Sequence, residues 1–589
     1  MTLVKNDHNT IFVDRWSMRH VSASSSFSRA VRQRWVRFGP VGLVLVSAIL
    51  FLGFGVHEAW LDSPTFDEPV YVSAGLAEIL HHDVALNDEH PVLPKVLATL
   101  PVLLVHPVVP QNGSWSTNDE RTYSATFLNA QRRAGTLRVV TFSSRLVPLL
   151  EAVALAFVLF SLGRDLFGRA AGALAGSLWL LSPFVLGLSH LDGLDLSFAL
   201  AVGCWSWALL RWMRRSNARR VLVLGIATGA AVLTDVTGLL LVVLGVITIL
   251  VTSRDRNLRQ GLRQSGLLLL ATWFLTWAAY GAINSSVLLN PTVVLPSPYL
   301  DGMSYLLHND TVPGAGYLLG AAWTGGRWWY WPGALVLKTV PTTLLLLIGG
   351  CIGWIWYDRP LRGQALLVLA VPALSLLAFT VLLPRDIGLR YMLPVLALWL
   401  VAASSVASAA LNTVVGALSV ASIVVVAGLA MILSSPFSLA WATPPLGPAY
   451  RIATNSDVDW GQGFYRLEAW SIGKHPWVAY FGPRGLGTSS IPNARRLMGT
   501  APDRIEGWVA VSATDLTSAE SASLAWLRAY CPVSDLGGSI LLYKFDHPPS
   551  ALPGPTEPTG YCAAGHESVR IRTATVPHQS HRRQPPTRA

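Results

Sequence analysis

The sequence predicts a polytopic α-helical membrane protein that carries a small α/β domain near its C-terminal end. Three observations predict it. The 589 residues are 52% hydrophobic and only 13% charged, with a mean hydropathy of +0.45, far from the composition of a soluble globular chain. The apolar residues fall in separate runs near the roughly 20 residues that a bilayer-crossing helix needs. After about residue 434 the composition returns to that of an ordinary soluble domain. The formal charge of +11 would point to nucleic acid in a soluble chain, but its arginines sit between apolar runs, where membrane orientation explains them. No nucleic-acid partner is expected.

Residues 1–38 hold Lys5 and six arginines against Asp7 and Asp14, without the short apolar core and small-residue exit of a cleavable signal. They read as a basic cytoplasmic segment. Residues 39–433 form the transmembrane part. Its first apolar run is 40–56, followed by runs at 139–162, 170–189, 195–213, 219–234, 237–252, 265–283, 333–356, 365–383, 392–410 and 413–433. That gives about eleven spans. Arginine-rich loops at 163–169, 211–220, 253–264 and 357–363 alternate with arginine-free turns near 190–195 and 234–237, so the former are expected inside and the latter outside. An odd number of spans then makes the C-terminal part extracytoplasmic, in a protein of the cell membrane.

Two long outer segments, 57–138 and 284–332, mix aromatic and apolar residues with Pro, Gly and acids and are expected to be structured at the membrane interface. Within the first, 91–109 is too interrupted to span and reads as one or two short interfacial helices. Residues 434–546 read as the α/β domain, with a helix near 463–473 and strands at 507–513 and 538–545. From 547 on, Pro, Arg, His and Thr dominate, the composition of a disordered tail. The four cysteines form no CxxC pair and no zinc spacing, which leaves a Cys531–Cys562 bridge open if both face an oxidising compartment. No cofactor is expected, and no ligand spacing supports a divalent metal.

Four constellations on the predicted outer side bear chemistry. In "SPTFDEPVY" the acids Asp67 and Glu68 stand between Pro64 and Pro69 among Phe66, Val70 and Tyr71. Apolar surroundings perturb a carboxylate and suit it to general-base work, although two loop acids can also be merely solvated. In "NDEHPVLPK" Asp88, Glu89, His90 and Lys95 follow about twenty residues later, either as site residues or as an interfacial turn. The turn "LSHLDGLD" brings His190, Asp192 and Asp195 to the bilayer edge, and Arg145 and Glu151 lie in the outer part of the second span. Ionisable groups there are costly enough to be functional candidates. A helix N-cap would account for Asp192 or Asp195, and snorkelling for Arg145. Finally, "GGRWWYWPGALVLKT" and "RDIGLRYMLP" supply Arg327, Lys338, Arg385 and Arg390 with aromatics, suiting either an aromatic belt or an anionic lipid headgroup.

Taken in order, "TFDEPVY", "EHPVLPK", "YLLGAAWTGGRWWYWPGALVLKT", "IGLRYMLP" and "NSDVDWGQGFYRLEAW" resemble the bacterial branch of the dolichyl-phosphate-mannose protein mannosyltransferase-like family. The resemblance covers roughly residues 60–545. It implies a GT-C glycosyltransferase that takes a single sugar, mannose by default, from a polyprenyl-phosphate donor to a protein, lipid or glycan acceptor, with inversion. It further implies that Asp67 is the base, with Glu68 beside it. His90 and Lys95 then belong to the following loop motif, and Lys338, Arg390 and Tyr391 line the donor site. Arg145, His190 and Asp195 are further substrate-site candidates from their placement at the bilayer edge, and the resemblance leaves open whether Asp192 or Asp195 is the second acid. Two positions depart from the family pattern. Val92 replaces a second proline, and Asp235 stands where many relatives carry lysine. Transfer of another sugar, such as an aminopentose or a galacturonate-like residue, an inactive relative and a secondary transporter are the alternative expectations. The last should show inverted repeats, and none is visible.

Overall fold

The computed structural model describes residues 39–549, apart from 111–114, 116–118, 254–256, 290–293, 310, 355–358, 383, 387, 445–446 and 519–521. The basic segment and the tail therefore lie outside the described residues, as does Cys562. Cys531 is disulfide-bonded.

The chain is mostly helical. Seven helices are long and apolar enough to cross a membrane: α1 (Gly39–Leu61), α5 (Leu137–Phe167), α8 (Asp195–Arg214), α11 (Leu258–Ile283), and the segments Leu361–Val381, Leu389–Ala410 and Val414–Ser434. A bent pair, α6 (Arg169–Leu180) and α7 (Pro183–Ser189), makes an eighth if it is one span, with a 58° bend. The bend follows from sequence: Pro183 can start a helix but cannot continue one, and the Ser182 hydroxyl caps α7 by accepting from the Val185 N–H at 3.4 Å. The other three expected spans fall on shorter helices, namely α9 (Ala218–Thr234), α10 (Gly238–Ser253) and the pair α13 (Tyr330–Lys338) and α14 (Pro341–Gly353). Length therefore separates these three from the seven. Small residues bring helices together: at Gly172 of α6 a side chain would overlap the Phe160 carbonyl of α5, so the two backbones touch directly.

Between α1 and α5 the segment 57–138 folds into α2 (Glu68–Leu76), a π turn, α3 (Val92–Leu103) and α4 (Glu120–Ala134). All nine residues of α2 are buried, because this short helix lies at the junction of the spans, α3, α4 and the C-terminal domain. The Asp119 side chain caps α4 by accepting from Thr122 N–H at 3.0 Å, and Gly135 ends it in the left-handed region at φ 73°. The segment 284–332 gives α12 (Ser297–Asn309) and a hairpin of β1 (Ala315–Leu318) and β2 (Ala321–Thr324). Its two-residue turn, Leu319 and Gly320, takes positive φ at both positions, the geometry that matches strand twist.

The C-terminal domain is a five-stranded mixed sheet in the order β4-β3-β5-β7-β6. It is built from β3 (Trp477–Ala479), β4 (Arg495–Arg496), β5 (Gly507–Ser512), β6 (Ser534–Leu536) and β7 (Ile540–Phe545). β4 and β5 flank β3 in parallel, whereas β7 is antiparallel to both β5 and β6. Residues 463–473 contain the expected helix, Phe464–Ser471. The domain is tied to α1 and α2: Phe66 N–H donates to the Trp460 carbonyl at 2.9 Å and Ser63 N–H to the Gln462 carbonyl at 3.1 Å. Arg466 pairs with Asp62 at 2.5 Å.

Candidate active site

Asp67 immediately precedes α2, where Pro69 presets the first helical turn. Its backbone carbonyl accepts from the N–H groups of Val70 and Tyr71, so its side chain is free to turn outward. There Oδ1 accepts from both Nη1 and Nη2 of Arg121 at 3.2 Å, and Oδ2 lies 3.5 Å from Arg390 Nη1. Arg121 comes from the first turn of α4 and lies over the Phe66 ring, 4.5 Å from its centroid.

Arg390 is set by its own motif and by a distant one. Gly388 takes φ 133° and leaves no room for a Cβ beside Ser456, and the next N–H, of Leu389, donates to Asp457 Oδ1 at 2.8 Å. The guanidinium then rests over Trp460 at 4.8 Å and Tyr391 at 5.2 Å. "NSDVDWGQG" therefore acts by shaping Arg390, with Tyr330 donating its hydroxyl to Asp457 Oδ2 at 2.9 Å.

Beside this pair opens a cavity of about 1060 Å³, counting its mouth. Glu89, His90, Asp195, Asp235, Arg385, Arg390 and Tyr391 make one part of its wall, and Phe198, Met303, Leu306, Leu307, Leu376 and Phe379 make an apolar part. Burial, followed by the charges of Glu120 and Asp67, pushes the Glu89 carboxyl up to about 7. Burial and the cations Lys95, Arg390 and Arg121 push the His90 imidazole down to about 3, so it is neutral and can hydrogen-bond but carries no charge. Arg385 is anchored by the carbonyls of Val312 at 2.8 Å and Asn309 at 2.7 Å. Asp235 Oδ1 accepts from the N–H and hydroxyl of Thr237 at 2.7 and 2.6 Å. Among the described residues, no three His, Cys, Asp or Glu side chains group as a metal site.

Of the sequence candidates, His90, Asp195, Arg390 and Tyr391 line this cavity, and Asp67 adjoins it through its contact with Arg390. Five others do not line it, each for the same reason: burial has already committed its polar atoms. Both Glu68 oxygens receive Arg145 at 2.7 Å and the N–H groups of Asp192 and Thr65, also at 2.7 Å. Arg145 spends its remaining donors on the carbonyls of Ala59, Asp62 and Ser63. Lys95 binds Glu78 at 2.7 Å and the Asn87 carbonyl at 2.6 Å. His190 Nε2 lies 3.0 Å from Asp62 Oδ2, and its Nδ1 the same distance from the Leu186 carbonyl. Lys338 donates to the carbonyls of Leu439, Trp441 and Asp457. Arg327 is exposed and uses its backbone N–H on Asp386.

The two acids of the short outer turn also separate. Asp192 is buried, and burial together with Glu68 pushes it up to about 8; Asp195 faces the cavity at the first turn of α8. Arg121, Trp460 and Phe66 are site residues that sequence reasoning missed. Arg121 had a visible signal, since "NDERTY" places a cation among acids at a helix start.

Among solved structures, ArnT from Cupriavidus metallidurans bound to undecaprenyl phosphate is 13% identical, covering 80% of this chain and 93% of its own, with a TM-score of 0.45. The oligosaccharyltransferase AglB from Archaeoglobus fulgidus, in complex with an inhibitory peptide and a dolichol-phosphate, is 12% identical, covering 85% of this chain and 73% of its own, with a TM-score of 0.42. No curated protein sequence matches the chain. Residues 136–280, about a quarter of the chain and the stretch holding Arg145, His190, Asp192, Asp195 and Asp235, match the family model described as dolichyl-phosphate-mannose-protein mannosyltransferase.

Proposed function

We propose that the protein is a membrane glycosyltransferase moving a single sugar, mannose by default, from a polyprenyl phosphate to an acceptor hydroxyl on the extracytoplasmic face. One observation carries the proposal. A half-buried carboxylate, Asp67, is held by two guanidiniums beside a cavity whose lining is part charged and part apolar. The family model over residues 136–280 supports the same reading. A lipid-linked phosphate needs that division, with polyprenyl on Phe198, Leu376 and Phe379 and phosphate at Arg390.

Asp67 takes the proton of the acceptor hydroxyl as its oxygen bonds to the anomeric carbon. The bond from that carbon to the phosphate oxygen breaks, its electron pair leaving with the lipid phosphate, and the anomeric centre inverts. Arg390 stabilises the charge that develops on the leaving group. Its 3.5 Å contact with Asp67 is the longer of the two Asp67 pairings, and an arriving phosphate competes for this guanidinium. Arg121 keeps Asp67 in place while that happens. With Asp235 where lysine is usual, Arg390 and Arg385 supply the cations. The Asp195 and Asp235 carboxylates on the wall favour, as a second reading, a donor sugar bearing an amine. The orientation is supported by the disulfide at Cys531, a bond that persists in oxidising compartments.

The test is transfer from radiolabelled polyprenyl-phosphate sugars in membranes holding wild type or Asp67→Asn. Loss of a positioned general base should lower the rate about 10²- to 10⁴-fold. Full transfer by the variant sinks the base assignment, and no transfer by wild type with any such donor favours an inactive relative.

A further inference from the structure

A second opening lies in the C-terminal domain, apart from the donor cavity. It occupies about 1190 Å³, counting its open mouth, at the carboxyl ends of β3 and β5. The chain leaves β3 toward β4 on one side of the sheet and returns to β5 on the other. Where parallel strands diverge in this way their carboxyl ends leave a crevice, the usual place for a ligand in such sheets.

The lining is chemically mixed. Asp515, in the short helix Ala513–Thr517 that follows β5, lines the opening with Arg496 of β4 and with Phe481, Met498, Thr488 and Ser489. The Asp515 carboxylate accepts no hydrogen bond among the described residues, and burial alone pushes it up to about 6. Arg496 is exposed and has no carboxylate within ion-pair distance among the described residues. The opening thus offers a carboxylate and a guanidinium, neither with a side-chain hydrogen bond among the described residues, beside the apolar Phe481 and Met498. Phe481 also stacks on Phe66, with centroids 5.0 Å apart and planes 6° from parallel. Phe66 precedes Asp67 and carries Arg121 over its ring, so the crevice wall is continuous with the wall of the candidate active site.

We propose that this crevice binds an oligosaccharide, seating the acceptor as a glycan whose terminal hydroxyl reaches past Phe66 to Asp67. Sugar hydroxyls donate to Asp515 and accept from Arg496, while the C–H face of a ring lies on Phe481 and Met498. A peptide fits less well, because β4, the edge strand at this end, is only two residues long and gives an added strand almost no ladder to join. The binding claim stands without the transfer reading, and only the name "acceptor" rests on it.

The experiment uses the full chain in lipid nanodiscs without donor. Binding of mannotriose, maltotriose and a Ser/Thr-rich dodecapeptide is measured by calorimetry for wild type, Asp515→Asn and Arg496→Ala. Wild type should bind a trisaccharide, and Asp515→Asn and Arg496→Ala should bind it at least about tenfold more weakly, the size of one lost charged hydrogen bond. Arg496 is exposed, so its variant decides the question if Asp515→Asn does not fold. Equal trisaccharide affinity in wild type and Arg496→Ala, no saccharide binding by wild type, or binding of the peptide alone each overturns the proposal. Because no donor is present, a protein that binds saccharide but transfers nothing refutes the transferase reading and leaves this one standing.

Discussion

Asp67 and Glu68 are chain neighbours with the same chemistry and opposite situations. Glu68 is 2% exposed and Arg145 fully buried, and every oxygen and donor between them is matched. Burial alone would raise the Glu68 carboxyl, but the Arg145 guanidinium and the N–H groups of Asp192 and Thr65 outweigh it and hold the carboxyl below its usual range. Removing one partner of such a pair strands the other and costs about 3–5 kcal/mol. Glu68→Gln is therefore expected to lower the unfolding midpoint of the detergent-solubilised protein sharply, with Asp67→Asn leaving it near wild type. The pH dependence has a definite sign. With its folded-state value depressed, Glu68 contributes stability that is fully present above its ordinary carboxylate value and is lost as pH falls through the lower folded-state one. Unfolding curves of wild type and Glu68→Gln should converge on acidification. This pairing also marks how far the sequence is legible. The acids and the cations can be read from the sequence. Which cation takes which acid cannot, because Glu68 and Arg145 are 77 residues apart and only packing decides that Lys95, His190 and Lys338 are consumed inside while Arg390 stays at the cavity.

At the scale of elements, α12 governs the cavity without supplying a charge to it. Met303, Leu306 and Leu307 face inward, and at Gly302 the helix touches the backbone of the loop carrying Glu89 and His90, where a Cβ would overlap the Asp88 carbonyl. Gly302→Ala must push that loop or α12 outward. The expected outcome is a raised KM for the lipid donor; an unchanged KM would separate the loop from donor binding. Elements with a strong period were readable: the seven long helices, the helix before β3 and the strands β5 and β7 fall where hydropathy and alternation put them. The β1–β2 hairpin, β3, β4 and β6 were not, since strands of two to four residues carry too short a pattern to separate from loop. The bend at Pro183 was likewise hidden inside one apolar run, 170–189.

At the scale of the molecule, the outer segments, the span ends and the C-terminal domain meet in one buried junction around α2. Asp62 shows it most compactly, binding His190 of the helical part on one oxygen and Arg466 of the C-terminal domain on the other. Such a junction puts the candidate cavity, Asp67 and the sheet domain on a single side of the membrane, so one topology measurement constrains all three. Asp503 is exposed in the sheet domain and Arg219 at the start of α9, in the arginine-rich loop expected inside. In a background with the native cysteines other than Cys531 and Cys562 replaced, Asp503→Cys should react with a membrane-impermeant maleimide in intact cells, and Arg219→Cys only after permeabilisation. The reverse pattern would place the cavity in the cytoplasm, where a lipid-linked donor would have to be met before crossing the bilayer, and would remove the extracytoplasmic acceptor from the mechanism. Equal labelling of both sites in sealed cells would instead mean that the arginine-rich loops do not set the orientation.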